Sequence, residues 1–162
     1  MGTDVATIYI VDDDPAVREA LSSLLRSNGK DVRIFASGAD FLSFERRDTP
    51  ACLILDLKMP GLNGLAVQQL VSGTIPIIFI TGRGDVDSTV RAMKGGASDF
   101  LTKPIDEALL LAVVERALAQ HQSARREARH HAELLARYRL LTPREQEVLP
   151  LLVKGRLNSR SS

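Results

Sequence analysis

Five short apolar runs recur along the chain, and the stretches between them carry helix signals. The runs are TIYIV (7–11), VRIF (32–35), CLILDL (52–57), IPIIFIT (75–81) and DFLT (99–102). Strands that alternate with helices form βαβ units and a parallel sheet. The runs CLIL and IPIIFI have lost polar alternation, as strands buried on both faces do. The helix signals agree. Asp14 followed by Pro15 reads as N-cap and first turn of a helix to about Asn28, stopped by Gly29. SGAD (37–40) has capping-box spacing before Phe41 and Leu42. LAVQQLV (65–71) places Leu65, Leu70 and Val71 near one face, and VDSTVRAMKGG (86–96) is a short helix ended by two glycines.

Five such units in roughly the first 120 residues predict an α/β fold: a flavodoxin-like, doubly wound, five-stranded parallel sheet, followed by a long linker helix. In such sheets the functional groups lie at the carboxyl ends of the strands. The first strand delivers Asp12 and Asp13, the third Asp56, the fourth Thr81, and the fifth is followed by Lys103 and Pro104. Each of these residues alone reads as an ordinary turn or strand-end residue. Together, in order, at the correct ends, they read as a site. Carboxylates crowded as in DDDP repel one another. Oxygens at that density suit a hard divalent cation such as Mg²⁺, which leaves Asp14 to cap the helix. Metal, ammonium and hydroxyl beside an isolated aspartate suit phosphoryl transfer, with Asp56 the candidate acceptor of an aspartyl phosphate.

Bulk properties set few further bounds. The 162 residues are 44% hydrophobic and 25% charged, with net charge +1, so whole-chain charge selects no partner. Residues 1–104 carry 11 Lys/Arg against 13 Asp/Glu, and residues 105–162 carry 10 against 7, which puts the basic excess in the tail. Cys52 is the single cysteine, so no intrachain disulfide forms, and its apolar setting reads as a buried, inert thiol. No stretch has the apolar length of a membrane span, and no signal peptide is read at the start, so a cytoplasmic protein is expected.

From Ile105 to Thr142 there is neither glycine nor proline. Strong helix formers predict one helix from about Asp106 to Arg139, either continuous or interrupted near Gln122–Ser123. Leu110, Val113, Val114 and Ala117 should cover the sheet. A seam of Val114, Ala117, His121, Ala124, Ala128, His131, Leu135 and Tyr138 continues beyond, fitting either a solvated linker or a weak dimer contact. His130 and His131 are adjacent, point different ways on a helix and do not form a metal site. Thr142, Pro143 and Glu145 form a further capping box. Three segments are expected: a phosphoacceptor domain (1–120), a helical linker (121–140) and the start of another domain (141–162).

YIVDDDPAVRE, LILDLKMPGLNGL, IIFITGRGDV and AMKGGASDFLTKPI resemble the receiver domain of two-component response regulators, and FITGRGDV and DFLTKP are most similar to its FixJ-type branch. The resemblance covers about residues 5–120. It implies that Asp56 is the phosphoacceptor, that Asp12 and Asp13 order Mg²⁺ with Asp56, and that the backbone carbonyl of Lys58 completes the coordination. It implies that Thr81 follows the phosphoryl group, that Lys103 pairs with it, and that the Lys103–Pro104 bond is cis. It implies that Phe100 is the switch aromatic, although an ordinary core aromatic fits the sequence as well. The partners implied are a sensor histidine kinase and, after phosphorylation, a second copy bound through the helix-four and strand-five face. The segment between Gly64 and Pro76 is about a turn shorter than is usual in the branch.

LTPREQEVL resembles the opening of a LuxR-type helix-turn-helix domain, from which Pro150 departs because it would kink the helix. Transcription control through DNA is implied for a full-length regulator. The residues after Asn158 are too few for a recognition helix, so specific DNA binding is not expected of this chain. The chain is thus expected to be a switch and not an enzyme. The rival enzyme is an aspartate-nucleophile, Mg²⁺-dependent phosphatase of the haloacid-dehalogenase kind, which places a D-x-D nucleophile on the first strand. A flavin-binding protein is disfavoured, because an acidic edge repels phosphate unless a metal intervenes.

Overall fold

The chain alternates strand and helix through ten elements: β1 (Thr7–Val11), α1 (Pro15–Ser27), β2 (Asp31–Phe35), α2 (Gly38–Ser43), β3 (Ala51–Asp56), α3 (Gly64–Val71), β4 (Ile77–Thr81), α4 (Val86–Lys94), β5 (Asp99–Thr102) and α5 (Glu107–Arg139). This is a computed structural model, and it describes residues 5–82 and 84–147. The sheet order is β2-β1-β3-β4-β5, every pair parallel. This is the flavodoxin-like order, whose reversal beside β1 leaves a crevice at the carboxyl ends of β1 and β3.

Alternate residues of each strand feed two cores. On one side Ile8, Ile10, Cys52, Ile54, Ile78, Ile80 and Leu101 pack with Leu21 and Leu25 of α1 and with Leu110, Val113, Val114 and Ala117 of α5. On the other, Tyr9, Val11, Leu53, Leu55 and Phe79 pack with Phe41 of α2, Val67 and Val71 of α3 and Ala92 of α4. Cys52 is fully buried, and burial pushes its thiol up to about 12.

The capping signals are realised. Asp14 Oδ1 accepts from the Ala16 amide at 2.9 Å, and Ser37 Oγ accepts from the Asp40 amide at 3.1 Å. One expectation is corrected. Leu70 is 65% exposed, because the buried row of α3 is Gly64, Val67, Gln68 and Val71, spaced three and four apart. The single long helix expected from about Asp106 is found: α5 runs to Arg139 and is continuous through Gln122–Ser123.

The chain divides into two compact units, 1–123 and 124–162. In the first, the Ala51 amide donates to His121 Nδ1 at 2.8 Å, tying α5 to the start of β3. In the second, the Glu145 amide donates to Thr142 Oγ1 at 3.3 Å, and the Thr142 amide donates to Glu145 Oε1 at 3.0 Å. The Thr142 amide, joined by the Thr142 hydroxyl donating to the same Oε1 at 3.0 Å, holds the Glu145 carboxyl below its usual range, and a helix begins at Pro143. The expectations for Pro150 and for the residues after Asn158 lie outside the described residues. Among the described residues no helix is long and apolar enough to cross a membrane.

Candidate functional site

The acidic edge is built by loops that leave the strands at once. After Val11 the Asp14 amide donates to Asp12 Oδ1 at 2.9 Å, which turns the chain into α1 and fixes the Asp12 side chain. Arg18, one turn into α1, donates from Nη1 to the Asp12 carbonyl at 2.7 Å and braces the same loop. After β3 the Lys58 amide donates to Asp56 Oδ1 at 3.3 Å. The next helix starts close behind: a Cβ on Gly64 would lie 2.6 Å from the Asp56 carbonyl oxygen, so only glycine fits there.

One oxygen from each of Asp12, Asp13 and Asp56 falls within 4.8 Å of the others. Asp12 and Asp56 are buried, whereas Asp13 is exposed. Lys103 Nζ stands 3.7 Å from Asp12 Oδ2 and 3.7 Å from Asp56 Oδ2. That is an ion-pair distance and too long for a hydrogen bond. Asp12 Oδ2 accordingly is buried with no hydrogen-bond partner among the described residues. One ammonium pairs with the two buried carboxyl groups of a cluster of three, and the acidity of Asp12 and Asp56 reflects their burial and crowding. Burial, reinforced by the Asp12 charge, pushes the Asp56 carboxyl up to about 6, against the opposing pull of Lys103 and the Lys58 amide. Burial is also the main reason that Asp12 titrates above the ordinary carboxylate range. An edge short of positive charge, with an orphaned buried oxygen aimed into it, fits a hard divalent cation.

The remaining candidates lie around this centre. Thr81 is buried at the end of β4, and its carbonyl accepts from the Lys103 amide at 2.9 Å. The Lys103–Pro104 bond is cis. Phe100 pairs with Phe79 across β4 and β5, is 39% exposed, and lines a groove of about 540 Å³ with Thr81, Val86, Val90 and Met93. The Lys58 ammonium points out of the acidic centre to Asp85 Oδ2, at 3.5 Å. Two contributors escape a reading of the sequence. Arg18 is signalled only by its place one turn after the Asp14 cap. Asp85 gives no local signal, because its partner lies 27 positions earlier on another loop.

Comparison with known proteins agrees with this architecture. Residues 8–115 match the response regulator receiver domain family. The chain is 44% identical to the response regulator protein TodT of Pseudomonas putida, over the whole of this chain and 73% of TodT. It is 37% identical to the transcriptional regulatory protein FixJ of Bradyrhizobium diazoefficiens, over 93% of this chain and 75% of FixJ. The solved structure of the response regulator StyR superposes with a TM-score of 0.78 at 43% identity, covering 94% of this chain and 78% of StyR. The chain belongs to the response regulator receiver domain family.

Proposed function

We propose that this chain accepts a phosphoryl group on Asp56 from a sensor histidine kinase and uses it to switch its own association, and through that transcription. The observation that carries the reading is the cluster itself: three carboxylate oxygens within 4.8 Å, with Lys103 Nζ 3.7 Å from two of the carboxylates. Asp12, Asp13, Asp56 and the Lys58 carbonyl would hold Mg²⁺, which offsets charge on the group being transferred. An Asp56 carboxylate oxygen attacks phosphorus, a P–O bond forms, and the P–N bond to the donor imidazole breaks, leaving its electron pair on nitrogen. Lys103 is placed to pair with the phosphoryl oxygens once they arrive. Thr81 then turns its hydroxyl toward them, and Phe100 turns into the space vacated. The α4–β5 surface changes and pairs with a second copy. The domain division 1–120, 121–140 and 141–162 belongs to this reading, the last segment opening a helix-turn-helix domain that binds DNA in a full-length regulator. The regulator relatives support a cytoplasmic setting.

Intact mass after treatment with acetyl phosphate tests the chemistry. One phosphoryl group should be gained with Mg²⁺, none with EDTA, and none by Asp56→Asn. Labelling that persists in Asp56→Asn would sink the assignment. Steady hydrolysis of phosphomonoesters in place of stoichiometric labelling would favour the phosphatase reading.

A further inference from the structure

Among the described residues, two side-chain ties of opposite character attach helix α4 to the rest of the domain. At its C-terminal end the tie is buried. Gln68 of α3 is 5% exposed, and its Nε2 donates to the Ala92 carbonyl at 2.8 Å. Gly95 makes room for this amide, since a Cβ there would lie 2.8 Å from Gln68 Oε1. At the N-terminal end the tie is open to solvent on one side only. Asp85 occupies the N-cap position but makes no side-chain capping bond. Its Oδ2 is instead buried beside Lys58 Nζ at 3.5 Å and has no hydrogen-bond partner among the described residues. The Lys58 side chain is 77% exposed. An aspartate at an N-cap ordinarily accepts from the second or third helical amide. Here that bond is given up for an ion pair that is exposed on its lysine side and too long for a hydrogen bond, a contact easily exchanged.

The ion pair also spans the right elements. Lys58 donates its amide to Asp56 Oδ1, so its backbone is part of the acidic edge. Asp85 lies four residues beyond Thr81, next to Gly84 at φ +83°, and lines the apolar groove under α4. We propose that Lys58–Asp85 is a latch and Gln68–Ala92 a hinge. Breaking the latch lets Asp85 swing back to cap α4, and the helix pivots about its C-terminal end over the groove. Only the trigger that breaks the latch, a change at Asp56, rests on the proposed function; the latch itself belongs to the unmodified protein.

Amide hydrogen exchange on the full chain tests both parts. In the unmodified protein, Lys58→Met and Asp85→Asn should each speed exchange over residues 84–89 by about two- to five-fold, the scale of a weak ion pair open to solvent at its lysine. The double variant should do no more than either alone. Residues 91–96 should stay unchanged in all three. Gly95→Ala, which crowds Gln68, should reverse the pattern, loosening 91–96 and sparing 84–89. In the wild type, beryllium fluoride with Mg²⁺ should reproduce the latch-variant pattern. Additive effects, unchanged exchange in either single variant, or equal loosening of both ends would overturn the proposal. If the latch variants loosen 84–89 while beryllium fluoride does nothing, the intact-mass result divides the outcomes: labelling of Asp56 overturns the trigger, and its absence fails the phosphoacceptor reading while the latch stands.

Discussion

Replacing Asp56 with Asn should make the metal-free domain more stable at neutral pH. The Asp56 carboxyl titrates at about 6 in the folded protein against an ordinary value of 3.8. The folded state therefore holds the proton more tightly than the unfolded chain. That preference favours folding at low pH and is lost as pH rises from about 4 through about 6. Above pH 7 the charge has been forced into a buried, acidic setting. Each factor of ten in proton affinity is worth about 1.4 kcal/mol, so the cost is about 3 kcal/mol. Asn keeps the shape without the charge, and Lys103 retains Asp12 as its partner at 3.7 Å. For a domain of this size, about 3 kcal/mol corresponds to a rise in Tm of about 10 °C. Calorimetry at pH 7.5 in EDTA should show that rise for Asp56→Asn, and at pH 3.5 the two proteins should melt alike. A variant that melts at or below the wild type at pH 7.5, or a gain undiminished in acid, would refute the electrostatic reasoning.

Added Mg²⁺ should raise the Tm of the wild type, by the equivalent of about 2.7 kcal/mol at a hundred times its Kd, and Asp12→Asn should lose most of that response in the same melts. Gly64→Ala should destabilise the domain by about 1–3 kcal/mol in urea unfolding, because its Cβ would lie 2.6 Å from the Asp56 carbonyl oxygen and 2.9 Å from Leu57 Cα. Thr81→Val should still accept the phosphoryl group from acetyl phosphate. Sedimentation should show no phosphorylation-dependent association in that variant; association equal to wild type would disprove the coupling through Thr81.

What is legible in the sequence is local or periodic. The fully buried strands announce themselves as unbroken apolar runs, and the caps at Asp14 and Ser37 sit within three residues of what they cap. The acidic edge is readable because strand ends are where such a sheet converges. What is not legible depends on partners distant in the chain. Leu70 reads as core until the facing row of α3 is known. Gln68 gives no core signal in the sequence, yet it is buried, with Ala92, 24 positions later, offering a carbonyl. Lys58 reads as a metal-site neighbour, and only the fold shows its ammonium turned away to Asp85.

The unequal furnishing of the two cores has a practical consequence for watching this protein. Tyr9 is fully buried, with Phe35, Phe41 and Phe44 at centroid distances of 6.3, 5.5 and 6.0 Å, while the chain contains no tryptophan. Near-ultraviolet circular dichroism comes from rings held in fixed surroundings. The signal of this domain should therefore arise chiefly from the α2–α3 side. The layer under α1 and α5 is aliphatic, and it could loosen with little change in that band. A probe placed on α5 and the native Tyr9 would then report the two layers separately in a single melt, and any gap between their midpoints would measure how tightly the sheet couples its two faces.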